Sequence, residues 1–156
     1  MGKSIKKLIK YLNSYNTAMA RVEDLRARRE RISQVLGDSY HGIVIDGMPK
    51  GGTVTDGMDK VVGAIDKVEA ITEELKRQEA EAKDYAADII AVLSLLPEGS
   101  DERRALELRF IDRLSTEAIT ERLNVAVATY WRIYERALND LVIMPYVRAI
   151  VDQMEA

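Results

Sequence analysis

Apolar residues recur mostly every three or four positions from Ile5 onward, at Leu8, Leu12, Tyr15, Met19, Val22, Leu25, Ile32 and Leu36. That spacing lines one face of a helix and predicts a single helix over 4–36. Lys6, Lys7, Lys10, Arg28 and Arg29 fall largely off the stripe, and Gly37 follows it as a stop signal. Between 37 and 57 the period is lost. Five of the nine glycines lie between Gly42 and Gly57, with Pro49 among them. Glycine opens positive φ and proline removes a donor, so a long loop is expected. The short run Ile43, Val44, Ile45 suits an extended segment tucked onto the helices.

A second long helix is predicted over 56–96, with Asp56 and Asp59 at its start. Val61, Ile65, Val68, Leu75, Ala82, Tyr85, Ile89, Val92 and Leu96 follow a heptad-like rhythm with charged residues on the other faces, the pattern of coiled-coil packing. Between Thr72 and Glu81 the stripe is polar and makes a weak zipper by itself. The simplest arrangement is an antiparallel hairpin of the two long helices, occupying 1–96 and serving oligomerisation or partner docking. Pro97 ends the second helix, and Ser100 is a suitable N-cap for the next.

Three shorter helices are predicted after that boundary. The first spans about 101–113, with Leu106, Phe110 and Ile111 inward. The second starts after Ser115 and runs to Leu123, with Ala118, Ile119 and Leu123 inward. The third runs about 126–141, with Tyr130, Tyr134, Ala137, Leu138 and Leu141 inward. Asn124 suits the left-handed position of a sharp turn, and Val125 would plug the core behind it. Two short helices joined so tightly, with a supporting helix before them, form a helix-turn-helix over 97–141, whose last helix would enter the major groove. In residues 142–156, Pro145 stands at a first helical position ahead of a stripe of Val147, Ile150, Val151 and Met154. That stripe could cover the hairpin or a second copy.

Composition narrows the chemistry. The chain of 156 residues has no cysteine and one histidine, His41, so thiolate sites and multi-histidine metal sets are excluded. His41 reads as a loop residue, and Glu69, Glu73 and Glu74 as a solvated helix face. In GMPKGG, Lys50 is followed by Gly51 rather than Ser or Thr, which departs from a phosphate loop. Neither an enzyme nor a cofactor is expected. No apolar run has the length of a membrane span, and MGKSIKKLIKYL lacks the apolar core of a signal peptide, so no membrane association and a cytoplasmic location are expected. The net charge of −3 is unevenly spread: residues 1–36 carry nine basic against three acidic residues, and residues 57–102 five against twelve. A basic helix beside an acidic one favours the hairpin, although each exposed pair contributes only about 0–1 kcal/mol. Residues 103–156 are balanced, eight against eight, which limits non-specific affinity for DNA.

The segment STEAITERLNVAVATYWRIYERALNDL resembles the DNA-binding end of bacterial sigma factors, their region four, at Ser115, Glu117, Ile119, Leu123, Asn124, Val125, Val127, Thr129, Arg132, Arg136, Ala137, Leu138 and Leu141. With the basic first helix, the GMPKGG segment and LSLLPEGSDERRALELRFI, nearly the whole chain is similar to phage transcriptional regulators of the RinA/ArpU type. That resemblance implies an activator of late or packaging genes that binds double-stranded DNA near RNA polymerase. Ala126, Thr120 and Trp131 depart from the residues common there. As a DNA-binding set, Ala128, Thr129, Trp131 and Arg132 would face the groove. Arg136, Arg122 and Ser115 would meet phosphates. Each has a plainer alternative: Arg132 as a solvated residue, Arg136 paired with Asp140, Trp131 as a lid on the core, Thr129 as structural. A homodimer or higher oligomer is expected, since one such module binds modestly. The competing reading is a non-enzymatic adaptor that binds RNA polymerase or another phage protein through the hairpin.

Overall fold

The computed structural model describes the backbone of residues 2–46 and 51–154, and the side chains of 2–37 and 58–154. Every regular element among these residues is an α-helix: α1 (Gly2–Leu12), α2 (Ser14–Asp46), α3 (Gly51–Leu93), α4 (Asp101–Phe110), α5 (Thr116–Leu123), α6 (Val127–Val142) and α7 (Pro145–Gln153). The chain is therefore all-α, as its periodicity predicts. No helix among the described residues is long and apolar enough to cross a membrane.

Only Asn13 separates α1 from α2, and the backbone ladder crosses it: Asn13 donates to Ile9 at 2.9 Å and Thr17 to Asn13 at 3.0 Å. Ser14 and Thr17 hydroxyls donate back to the carbonyls of Tyr11 and Asn13, a habit that bends helices. The expected loop over 37–57 is corrected. Helix α2 continues to Asp46 and α3 begins at Gly51. Glycine inside a helix costs only about 1 kcal/mol relative to alanine, and an already nucleated helix extends residue by residue, so scattered glycines weaken it without ending it. Pro49, the one strong breaker, lies with Gly47, Met48 and Lys50 outside the described residues, as do the side chains of Ile43, Val44, Ile45, His41 and Asp56. At its other end α3 stops at Leu93, and Leu95 and Leu96 bond back three residues, tightening the chain before Pro97.

The chain divides into two compact units, Met1–Ala18 with Glu81–Ala156, and Met19–Ala80. The first holds a true core. Leu8 and Leu12 of α1, Ile89, Val92 and Leu93 of α3, Leu106 and Phe110 of α4, Leu138 and Leu141 of α6, and Val147 and Val151 of α7 are buried together. This settles the place of the C-terminal stripe: α7 packs on α1 and α6, with Ile150 against the same core. A second, smaller cluster joins Ala105, Leu108, Ile119, Tyr130 and Ile133 of α4, α5 and α6.

The second unit consists of segments of α2 and α3. Among its described residues only Val22, Val61 and Leu75 are buried hydrophobics. Leu25, Ile32, Leu36, Val68 and Ile71 are half-buried. Arg26 of α2 pairs with Glu79 of α3 at 2.9 Å, with both side chains about half exposed.

Candidate nucleic-acid interface

Helices α4, α5 and α6 are joined by two tight turns built alike. Helix α4 ends at Phe110, Arg113 adopts φ 59°, and the Leu114 amide donates to Leu108 at 3.0 Å. Helix α5 ends at Leu123, Asn124 adopts φ 55° and ψ 49°, and the Val125 amide donates to Thr120 at 3.1 Å. In each turn a left-handed residue lets the chain reverse, and the next, apolar residue bonds back across the helix end. Leu114 and Val125 both pack on the smaller core, so each turn is anchored by the side chain that follows it. The expected turn at Asn124 is present. The first turn has no such signal in the sequence, because arginine carries no left-handed preference. Its side chain donates from Nε to Asn16 Oδ1 at 3.0 Å, tying the turn to α2.

Caps define the helix starts. Ser100 Oγ accepts from the Arg103 amide at 3.2 Å, and Ser115 Oγ accepts from the Ala118 amide at 3.3 Å. Ser115, expected at a phosphate, thus caps α5 and is exposed there. Ala126 occupies the N-cap of α6 and supplies no side-chain bond.

Helix α6 has two sides. Tyr130, Ile133, Ala137, Leu138, Leu141 and Val142 are buried, which adds Ile133 to the inward set read from the sequence. Val127 (51% exposed), Ala128, Trp131 (39%), Arg132 and Glu135 are exposed. Of the set expected to face a groove, Ala128, Trp131 and Arg132 share the open side, whereas Thr129 is half-buried. Arg132 has no ion-pair partner among the described residues, and neither does Arg122, exposed on the last turn of α5. Arg136 pairs with Glu102 of α4 at 3.0 Å rather than with Asp140, and its side chain stays largely exposed.

Arg109 organises the exposed rim and was missed in the sequence. Its Nη1 donates to Tyr130 Oη at 3.2 Å and lies 3.5 Å from Thr116 Oγ1. Its guanidinium carbon sits 5.3 Å from the ring centres of both Trp131 and Tyr134, within cation–π range. Trp131 meets Tyr134 edge-on at 5.3 Å and Tyr130 at 4.9 Å. One face of Trp131 is thus committed to the core, which supports the lid role, and the rest stays open. Burial pushes the Tyr130 and Tyr134 hydroxyls above the usual tyrosine pKa, and the Arg109 charge partly offsets this. The only sequence signal for Arg109 was a charge between two buried residues, Leu108 and Phe110.

Two shallow clefts flank this cluster. Glu117, Thr120, Glu121, Asn124, Val125 and Ala126 line one beside the second turn. Asn13, Asn16, Arg109, Arg113, Leu114, Ser115 and Thr116 line the other, at the start of α5. Among the described residues no group of acidic or histidine side chains could hold a metal ion.

Residues 43–142 match the family described as a protein of unknown function, DUF1492. The chain belongs to this family. The match ends at Val142, the last residue of α6, so it takes in all of α3 to α6 and leaves α1 and α7 outside. No curated protein and no solved structure matches the chain.

Proposed function

We propose that this chain is a sequence-specific regulator of transcription that binds double-stranded DNA, of the phage or prophage late-gene kind that the RinA/ArpU resemblance implies. In this reading α5, the Asn124 turn and α6 are a helix-turn-helix braced by α4. Helix α6 enters the major groove, and the long helices oligomerise the protein or dock it on RNA polymerase. No catalytic step is assigned. The carrying observation is the two-sidedness of α6: one side is locked into the core, and the other presents Val127, Ala128, Trp131 and an unpaired Arg132. Apolar side chains of that size suit thymine methyls, and a free guanidinium suits a guanine edge. Arg122 and Ser115 stand where an α5 approaching the backbone would meet phosphate.

Selection from random double-stranded DNA at near-physiological salt, followed by sequencing, tests this. An enriched motif is expected, and a palindromic one indicates a symmetric dimer. Arg132→Ala should then weaken binding to that motif by about 1–3 kcal/mol at fixed salt. Unchanged affinity would remove Arg132 from the contact set.

The Arg136–Glu102 pair and the glutamates lining the cleft beside the turn favour a second reading, because they reduce the positive charge available to phosphates. The protein would then be an adaptor that binds polymerase or another phage protein through its long helices. A folded protein that enriches no motif, yet is retained on RNA polymerase, would favour it.

A further inference from the structure

The α2–α3 unit leaves an apolar stripe uncovered. On α3, Met58 is 50%, Val62 52% and Ile65 40% exposed, and on α2 Val35 is 61% exposed. Met58, Val62 and Ile65 are spaced four and three apart, so they line one helical strip. The inner heptad row of α3 is different: Val61 and Leu75 are buried and Val68 is half-buried. Helix α3 therefore has one apolar strip facing inward and a second facing water. A contiguous exposed strip of large aliphatic side chains marks an interaction surface.

Charge identifies what covers it. On α2, Arg21 and Arg28 are exposed seven residues apart and lead, after another seven, to the exposed Val35. Arg31 is exposed on the same side. None of these arginines has an ion-pair partner among the described residues. On α3, Asp59, Asp66 and Glu73 are exposed and repeat at the same heptad spacing, flanking the Met58–Val62–Ile65 strip. Only Glu73 of these has a partner, Lys76 at 3.6 Å. One chain thus carries a basic row and an acidic row of equal period, each beside exposed apolar residues. Such a surface is complementary to itself.

We propose that a second copy of this chain covers the strip. The two copies pair about a two-fold axis, so that α3 of each lies along α2 of the other in a four-helix arrangement. The two contacts are then identical, which closes the assembly at a dimer. Each contact buries Met58, Val62 and Ile65 of one copy near Val35 of the other, with the arginine row against the acidic row. The pairing does not depend on the DNA-binding reading, and no DNA enters its test.

The test is sedimentation equilibrium of the full chain, with helix content followed by circular dichroism. The native chain is expected to be a dimer. Val62→Glu combined with Ile65→Glu should give a monomer that keeps its helix content, since both positions are exposed in the single chain. Two charge-reversed sets carry the decisive arm. One bears Arg21→Glu, Arg28→Glu and Arg31→Glu; the other bears Asp59→Lys, Asp66→Lys and Glu73→Lys. Each set alone should be largely monomeric, and an equimolar mixture should recover a heterodimer, because only α2 against the partner's α3 restores opposite charges at both contacts. A native chain that remains monomeric overturns the proposal. So does a dimer that survives Val62→Glu with Ile65→Glu, or charge-reversed sets that fail to recover on mixing. Retention of RNA polymerase by the native monomer would assign the strip to that partner instead.

Discussion

The two units of this molecule use similar helices and gain very different amounts from packing them. In Met1–Ala18 with Glu81–Ala156, helices meet from several directions, and side chains as large as Tyr130, Phe110 and Leu138 are fully enclosed. In Met19–Ala80 the apolar residues lie in a seam, and most stay half-exposed. Hydrophobic stabilisation follows area removed from water, so a seam contributes far less per residue than an enclosed core. The candidate interface sits wholly on the enclosed unit. A surface that must hold its side chains to within a fraction of an ångström is best built on such a core.

The difference between the units is largest at the big core residues. Leu138→Ala should destabilise the chain by about 2–5 kcal/mol, because the enclosed cavity cannot collapse. Leu75→Ala in the second unit should cost toward the lower end of that range, since neighbouring residues and solvent can close around it. Denaturant unfolding measures both totals. Hydrogen exchange separates them: Leu75→Ala should speed exchange in 19–80 and leave the α4–α6 amides protected, whereas Leu138→Ala should expose α4–α6. Equal effects of the two substitutions on both regions would show a single cooperative unit.

Arg109 comes next. Arg109→Met keeps much of the aliphatic stem but removes the bond to Tyr130 and the stacking on Trp131 and Tyr134. A loss of about 1–3 kcal/mol is expected, together with a change in Trp131 fluorescence. The tyrosines add a pH signature. Their folded pKa values are raised above 10, chiefly by burial. Their contribution to stability is therefore fully present below pH about 10 and is lost as pH rises through the folded values. Because Arg109 lowers both values, Arg109→Met should move the end of that alkaline decline to higher pH. An alkaline limb unchanged by the substitution would separate Arg109 from the tyrosines.

The contrast between units also explains what could be read in advance. Periodicity located α4 to α7 of the enclosed unit, because a helix packed on one side must carry its apolar residues on that side, but it ran α1 and α2 together as one helix over 4–36. It fails over 37–57, where glycine reads as a stop although its helical cost is modest and continuation needs no new nucleus. Asn124 was legible because asparagine tolerates the left-handed conformation. Arg113, in the same conformation, was not, because its place is imposed by Leu114 in the core and by Asn16 across the unit. Arg109 and the Arg136–Glu102 pair depend on contacts between residues 21 and 34 positions apart, which no local spacing encodes. Helix phase alone puts Ala128, Trp131 and Arg132 on the exposed side of α6, where the structure has them.

The smallest effects fall at the turns, where only the enclosed unit should respond. Asn124→Ala places an alanine at φ 55° and removes the side chain best suited to it, at a cost of about 1–2 kcal/mol. Asn124→Gly should be close to neutral, because glycine adopts that conformation freely. Ala126→Ser should act in the opposite direction. Ala126 already has the extended backbone of an N-cap, φ −72° and ψ 157°, yet offers no acceptor to the first turn of α6. A serine hydroxyl there can take an orphan amide and should add about 1 kcal/mol. The same amides are the ones a phosphate would meet if α6 approaches DNA. If the helix start lies against the backbone, Ala126→Ser should raise the melting temperature while weakening binding to a selected DNA motif. If α6 reads the groove from its exposed side alone, stability should rise with affinity unchanged.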